Sequence, residues 1–336
     1  MIGEAVKALR PVSLINKFGR RIKTMTDASM AARLRAFSKL VPELESGLKA
    51  FQSSEAKFRV LKTITPSHEE AQSPSLPTAD QSPKTLFILD SSFNPPSIAH
   101  RTLAQSALER ASSAQHAKPH RLLLLFAIMN ADKAPSPASF EQRLALMTVF
   151  ARDLQDSFQQ EPDKYDTLAI DIGVTKLPYY TDKSKAIETE GQEWYPDKPH
   201  HTHLVGFDTL TRFFGAKYYK DFDPPFAALN PYFDAGHRLR VTLRPDDDYG
   251  TVEEQKAFAK KLEHGEMAKD GGKPEWAKQV ELVAPNPKAG VSSTKIRKAA
   301  KAKDWETIKQ LCTPTVAEWV QQQELYRDDD RGAKMA

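Results

Sequence analysis

Two segments far apart in the chain carry residue types suited to gripping phosphate. The first is Ser91-Ser92-Phe93-Asn94-Pro95-Pro96-Ser97-Ile98-Ala99-His100. Its two prolines stiffen the backbone and remove N–H groups that would otherwise need partners. His100 is expected in the first turn of the following helix. Free N–H groups and the helix dipole favour an anion there, and an imidazole can donate a hydrogen bond to a phosphate oxygen. The second segment is Val291-Ser292-Ser293-Thr294-Lys295-Ile296-Arg297. Ser and Thr before a helix are good N-caps, and Arg297, one turn beyond Ser293, projects from the same helix face. Hydroxyls, free N–H groups and a guanidinium together make a triphosphate grip. Taken alone, the first segment is equally a tight turn with a surface histidine, and the second an ordinary capped helix. The first loop has neither the glycine fingerprint of a dinucleotide fold nor the Gly-Lys-Ser/Thr of a phosphate loop. A dinucleotide-dependent oxidoreductase is therefore disfavoured.

Strands and helices must hold these segments in place. Residues 86–89 are a short apolar run ending just before the first loop. Leu103, Ala107, Leu108 and Ala111 mark a helix face, and 122–126 a second buried strand, which makes a right-handed βαβ unit. Further strands are expected over 168–174, 204–205, 238–243 and 280–283. Further helices are expected over 140–158 and 208–214, and three more from Ser293, from Trp305 and over 316–325. Apolar strands alternating with helices predict an α/β fold with a Rossmann-like, doubly wound parallel sheet. Ligands of such sheets bind beyond the carboxyl ends of the strands.

Upstream, Leu34, Phe37, Leu40, Leu44, Leu48 and Phe51 recur at helical spacing. Residues 29–62 are thus expected to be helical, with Pro42 dividing them into two helices. Pro74, Pro77, Pro83 and several serines make 72–83 a linker. The chain then divides into a basic, disordered segment 1–28, extra N-terminal helices over 29–71, the linker, an α/β domain over 84–326, and a disordered tail over 327–336.

Composition bounds the function classes. The 336 residues are 40% hydrophobic and 27% charged, ordinary for a globular protein. The longest apolar run, 122–129, is eight residues, too short for a membrane helix. The formal net charge is +4, and the first 28 residues hold six basic against two acidic residues. The body is balanced and offers no nucleic-acid footprint. The basic start fits a mitochondrial presequence, a basic tail, or an extension before a start at Met25 or Met30. No signal peptide is evident, and the single cysteine, Cys312, excludes an internal disulfide. A reducing compartment is expected, the cytoplasm or nucleus, with the mitochondrion as the alternative. His200, His201 and His203 are more simply a loop before a strand than a metal site. Asp246–Asp248 and Asp328–Asp330 read as solvated loops or tails, and Cys312 as a small core residue near a helix end.

Taken together and in order, the two segments resemble those of nucleotidyltransferases, and most of all nicotinamide mononucleotide adenylyltransferases. That family has a Gly-Ser-Phe-Asn-Pro loop followed by a histidine motif, and a Ser-Ser-Thr-x-Ile-Arg signature. The Asp-Ser-Ser-Phe-Asn-Pro-Pro opening is similar to the divergent fungal, promoter-of-filamentation-type branch. The resemblance covers roughly 84–326. It extends to Asn130-Ala131-Asp132-Lys133, residues 143–147, Tyr180-Thr181-Asp182, Val205-Gly206-Phe207-Asp208-Thr209, and Glu324-Leu325-Tyr326. Ser91 replaces the usual Gly, Ser97 a His or Thr, and Ala99 the bacterial-type Gly.

The resemblance implies that ATP and nicotinamide mononucleotide give NAD and pyrophosphate, with Mg²⁺ bridging the phosphates. It implies catalytic roles for His100, Lys133 and Arg297. ATP contacts would come from Ser92, Phe93, Ser97, His100, Gly206, Asp208, Ser293, Thr294 and Arg297. Acceptor contacts would come from Asn94, Tyr180, Thr181 and Trp194, with Trp194 the candidate to stack on the pyridine ring. Phe213 and Phe214 are expected in the core. No resident metal site, nucleic-acid partner or membrane insertion is implied, and a homo-oligomer is left open. The alternatives are a different acceptor, ATP hydrolysis, or a nucleotide-binding regulatory protein without catalysis.

Overall fold

The computed structural model describes residues 27–66, 74, 76–128, 138–166, 168–244, 249–285 and 291–327. The basic segment, Lys133 with its neighbours 129–137, and both aspartate triplets or their greater part lie outside the described residues. The strands are β1 (Phe58–Ile64), β2 (Thr85–Asp90), β3 (His120–Ala127), β4 (Ile170–Thr175), β5 (His200–Gly206), β6 (Arg238–Thr242) and β7 (Val280–Val283). The α-helices are α1 (Asp27–Ser53), α2 (Ile98–Leu108), α3 (Arg110–Ser113), α4 (Phe140–Gln160), α5 (Tyr180–Glu190) and α6 (Phe207–Phe213). They continue with α7 (Asn230–Asp234), α8 (Val252–Glu263), α9 (Ser293–Lys301), α10 (Trp305–Leu311) and α11 (Pro314–Gln322).

The sheet order is β1-β4-β3-β2-β5-β6-β7. Strands β2 to β7 are parallel, and β1 joins β4 antiparallel at the edge. Counted from β2, the parallel strands run third, second, first, fourth, fifth, sixth. This is the doubly wound order, and its switch point lies between β2 and β5. The ladder itself opens there. Strand β2 pairs with β3 as far as Asp90↔Leu125, but its pairing with β5 ends at Ile88↔His203. Beyond that register the pairing stops, and sheets of this order open their ligand crevice at that point.

Apolar cores cover both faces. On one face Leu89, Phe93, Leu122, Leu124 and Phe126 pack with residues of α1, α2, α4, α9 and α11. On the other, Leu86, Ile88, Leu123 and Leu125 pack against Ala186 and Ile187 of α5. A second aromatic cluster beneath α6 and α7 includes Phe213, Phe214, Tyr232 and Phe233, which places Phe213 and Phe214 in the core. Cys312 is buried at the end of α10. Among the described residues no helix is long and apolar enough to cross a membrane.

Two expectations upstream are corrected. Residues 29–62 are not two helices. Helix α1 runs unbroken through Pro42, because burial of Leu44, Leu48 and Phe51 holds it against the core. That packing outweighs the roughly 3 kcal/mol a mid-helix proline costs. Residues 58–64 are a strand. Phe58, Val60 and Lys62 are buried with period two, and this is a strand's period rather than a helix's. Thr63 Oγ1 donates to the wholly buried Asp171 of β4 at 2.7 Å, and Arg121 of β3 pairs with the same carboxylate at 2.6 Å. This polar clasp fastens the edge strand to the sheet. His200, His201 and His203 are likewise not in a loop but within β5, where His201 and His203 are fully buried. Among the described residues no group of three or more metal-binding side chains occurs.

Candidate nucleotide site

The loop leaving β2 is held at both ends. Ser91 N still donates to Leu125 O at 3.2 Å, and Ser97 caps α2. Between them Phe93 is fully buried, with φ at +44°. A bulky residue in that left-handed region is a local strain, held by packing against His100 and Phe150, whose ring centroids lie 5.2 and 6.5 Å away. Phe93 therefore supports the loop from behind.

His100 is the third residue of α2 and reaches back across the cap. Ser97 N–H donates to His100 Nδ1 at 3.0 Å, and the Ser97 hydroxyl lies 2.9 Å from the same nitrogen. His100 Nε2 lies 2.8 Å from Ser91 Oγ. Burial pushes the imidazole down to about 4, so the ring is neutral near pH 7. A backbone N–H can only donate, so Nδ1 accepts and the ring proton sits on Nε2. The Ser97 side chain is thus turned onto the imidazole.

Helix α9 docks onto this loop with its N-terminus. Ser292 caps it by accepting from Lys295 N–H at 3.3 Å. Ser293 Oγ donates to Pro95 O at 2.9 Å, and Arg297 Nη1 donates to Asn94 O at 2.9 Å. Arg297 Nη2 also donates to Thr294 Oγ1 at 3.1 Å. The two motifs therefore meet, with the N-terminus of α9, its hydroxyls and a guanidinium beside the N-terminus of α2. Ser92 is exposed on the same loop.

The opposite wall of the crevice comes from β5 and α5. Gly206 caps α6, and a Cβ there would lie 2.7 Å from Asp208 Oδ1. The glycine thus leaves room for Asp208 to fold back over its own strand end. Asp208 Oδ2 accepts from Arg212 at 2.8 Å. Tyr180 stands at the start of α5, and its ring meets His203 and Phe213 at 5.1 and 6.1 Å. Burial pushes its phenol far above the ordinary value. Thr181 follows on the first turn of α5.

The structure thus brings His100, Arg297, Ser92, Phe93, Asn94, Ser97, Ser293, Thr294, Gly206, Asp208, Tyr180 and Thr181 to the carboxyl ends of β2 and β5. Trp194 is not among them. It packs edge-on against Phe58 of β1, at 6.3 Å. In sheet order β1 lies three strands from β2, roughly 14 Å at the usual strand spacing. Trp194 follows the C-terminus of α5, whose other end lines the crevice, so the helix carries it away from the site.

One buried ion pair leaves little trace in the sequence. Lys183 of α5 bonds Asp90, the last residue of β2, and both side chains are more than nine-tenths buried. Lys183 also lies 5.2 Å over the Tyr180 ring. An acidic residue closing an apolar strand was the only available signal.

No family model matches the chain. A protein of Schizosaccharomyces pombe, provisionally named a nicotinamide mononucleotide adenylyltransferase, is 28% identical over 252 residues, covering 73% of this chain and 88% of the relative. The chain resembles nicotinamide mononucleotide adenylyltransferases. Among solved structures, the Plasmodium falciparum nicotinic acid mononucleotide adenylyltransferase complexed with NaAD aligns over 73% of this chain and 98% of its own. Its TM-score is 0.43 at 15% identity. A Vibrio parahaemolyticus protein, provisionally named a nicotinate-nucleotide adenylyltransferase, aligns over 73% and 97%, with a TM-score of 0.35 at 19% identity. The doubly wound order described above is what defines the fold.

Proposed function

We propose that the chain transfers the adenylyl group of ATP to a nicotinamide or nicotinate mononucleotide, with nicotinamide mononucleotide as the preferred acceptor, as a step of NAD biosynthesis. The observation that carries this reading is the docking of α9 on the β2 loop. Ser293 on Pro95 and Arg297 on Asn94 gather two phosphate-gripping motifs around His100 at the sheet's switch point. The name of the Schizosaccharomyces pombe relative supports the same assignment.

An acceptor phosphate oxygen attacks the α-phosphorus of ATP in line. The bond to the bridging oxygen breaks, and pyrophosphate leaves with its electron pair. Such transfers proceed through positioning and charge neutralisation rather than a covalent enzyme intermediate. Arg297 and the N-terminus of α9 neutralise the leaving phosphates, with the hydroxyls of Ser293 and Thr294 beside them. His100 contributes a neutral imidazole on the α2 side, its Nε2 2.8 Å from the Ser91 hydroxyl. Gly206 and Asp208 take the adenosine, the carboxylate accepting from ribose hydroxyls. Tyr180 and Thr181 form the acceptor wall. Magnesium enters as part of the substrate, held mainly by phosphate oxygens.

The test uses the purified full chain with MgATP and each mononucleotide in turn, following dinucleotide and pyrophosphate together. Both products should appear in step, faster with nicotinamide mononucleotide, and both should vanish in Arg297→Ala. Pyrophosphate or phosphate without dinucleotide would replace this reading with another acceptor or hydrolysis. ATP binding without either product would replace it with a regulatory nucleotide binder.

A further inference from the structure

We infer that Ser91 is a catalytic residue: its hydroxyl relays the His100 imidazole to the transferring phosphoryl group, so the ring itself does not touch substrate. The inference rests on the adenylyl-transfer reading above and concerns which atom meets the phosphate. Three observations carry it. First, the direction of the hydrogen bonds is determined. Ser97 N–H can only donate, so His100 Nδ1 accepts and Nε2–H donates to Ser91 Oγ at 2.8 Å. A serine hydroxyl that accepts still has one hydrogen to give. Among the described residues no acceptor takes it. Second, the ring is packed and tethered where it stands. Phe93 and Phe150 flank it with centroids 5.2 and 6.4 Å away, and Nδ1 is tethered to the α2 cap. Third, Ser91 sits where an unbonded donor is useful. It is the first residue beyond β2, its backbone is anchored to Leu125, and it lies past the last β2–β5 pair. Its main chain is therefore fixed at the carboxyl end of β2, beside the switch point, with the hydroxyl against His100.

The relay needs no net proton transfer. As the bond from the acceptor oxygen to the α-phosphorus forms and the bridging bond breaks, the Ser91 O–H donates to a non-bridging phosphate oxygen. Its own oxygen is polarised by the Nε2–H behind it, and hydrogen bonds in such a chain strengthen one another. His100 then acts as a positioning residue, orienting and polarising the hydroxyl.

Three variants in the full chain separate this from a structural role. Ser91→Ala removes the donor and leaves a methyl group over Nε2–H. Its kcat should fall about 100-fold, the low end of the scale of one oriented donor, while KM for ATP moves less than about threefold, a smaller shift than one hydrogen bond is worth. Ser91→Gly removes the methyl as well and opens Nε2–H to the phosphate directly, so it should recover about tenfold over Ser91→Ala, a step of one factor of ten in the barrier. Ser91→Thr keeps the hydroxyl and should stay close to wild type. Wild-type kcat in Ser91→Ala, or no recovery in Ser91→Gly, overturns the relay. A readout independent of turnover is the ¹⁵N spectrum of His100 in the free protein. The relay requires the Nε2–H tautomer, with a resonance that moves in Ser91→Ala, and an Nδ1–H ring overturns it. Failure of wild type to make dinucleotide from either acceptor would instead overturn the transfer reading, with the tautomer still deciding the hydrogen-bond arrangement.

Discussion

Arg297 is the residue where structure and chemistry can be separated most cleanly. Its guanidinium spans two acceptors, Asn94 O at 2.9 Å and Thr294 Oγ1 at 3.1 Å, and under the proposed mechanism it also faces the departing pyrophosphate. Replacing it with Ala removes a charged donor from the transition state. Losing one preorganised donor typically costs about 3–4 kcal/mol, or 10²- to 10³-fold in kcat. The same change removes a charge-assisted bond to the loop, worth about 1.5–3 kcal/mol in place. Ser293 still holds Pro95 O, so the loop keeps one tether and stability should fall by only about 1–2 kcal/mol, less than the full bond. Arg297→Lys preserves the charge, but a compact ammonium cannot span both acceptors as a planar fork does. Its turnover should lie between the two, about tenfold below wild type, a loss of one factor of ten in the barrier. Initial rates of dinucleotide formation and urea midpoints on the same preparations make the comparison. An alanine variant turning over within threefold of wild type would refute the role assigned here. So would a rate loss accompanied by a cooperative loss of fold of equal size, since the guanidinium would then be only a fastener.

Acid should destabilise the fold through the β5 histidines. His201 and His203 are fully buried, and desolvation holds both well below their ordinary range, with His237 adding repulsion. Unfolding releases them to about 6.5, so below that pH the unfolded chain takes up protons the native state refuses. Stability is therefore full above about pH 6.5 and falls as pH drops, by about 1.4 kcal/mol per group per unit. Between pH 7.5 and 5.5 each of these two rings should cost about 1.4 kcal/mol in urea titrations, and His201→Gln should remove about that much of the wild-type difference; an unchanged difference in the variant would show that the ring charges without penalty. Gly206→Ala puts a Cβ 2.7 Å from Asp208 Oδ1 and must turn that carboxylate aside. KM for ATP should rise about tenfold, the value of one charged hydrogen bond, with kcat less affected, and an unchanged KM would remove Asp208 from the adenosine site.

Much of this arrangement is legible in the chain, and where it is not the reason is physical. The strands β2, β3 and β4 are largely apolar, because interior parallel strands are covered on both faces. Their alternation with helices was enough to indicate the doubly wound sheet. The motifs at Ser91–His100 and Ser293–Arg297 stood out because prolines, caps and a basic side chain at fixed spacing have local causes. What stayed hidden depends on distant partners. Residues 58–64 look like a continuation of a helix until Thr63 meets Asp171, 108 residues away. Residues 200–203 look like a polar loop because a histidine's burial depends on neighbours such as His237, whose ring stacks 4.1 Å from that of His201. Trp194 was drawn to the site by its ring alone, whereas the direction of α5 decides where it lands. The Asp90–Lys183 pair needed the crossover from β2 to α5 before its two members could be seen together.

The separation of Asn94 and Arg297, 203 residues, also bears on how the protein is made. At a synthesis rate of about 5–20 residues per second, the β2 loop waits roughly 10–40 seconds on the ribosome before its arginine is joined to the chain. Strand β2 gains its β3 and β5 neighbours during that interval, whereas the clamp on the loop arrives only with α9. A nascent chain can therefore hold most of a folded sheet while its phosphate grip is still open. Under the proposed function, catalytic competence should switch on late and abruptly during translation, making ATP turnover by ribosome-stalled chains a sensitive clock for the docking of α9.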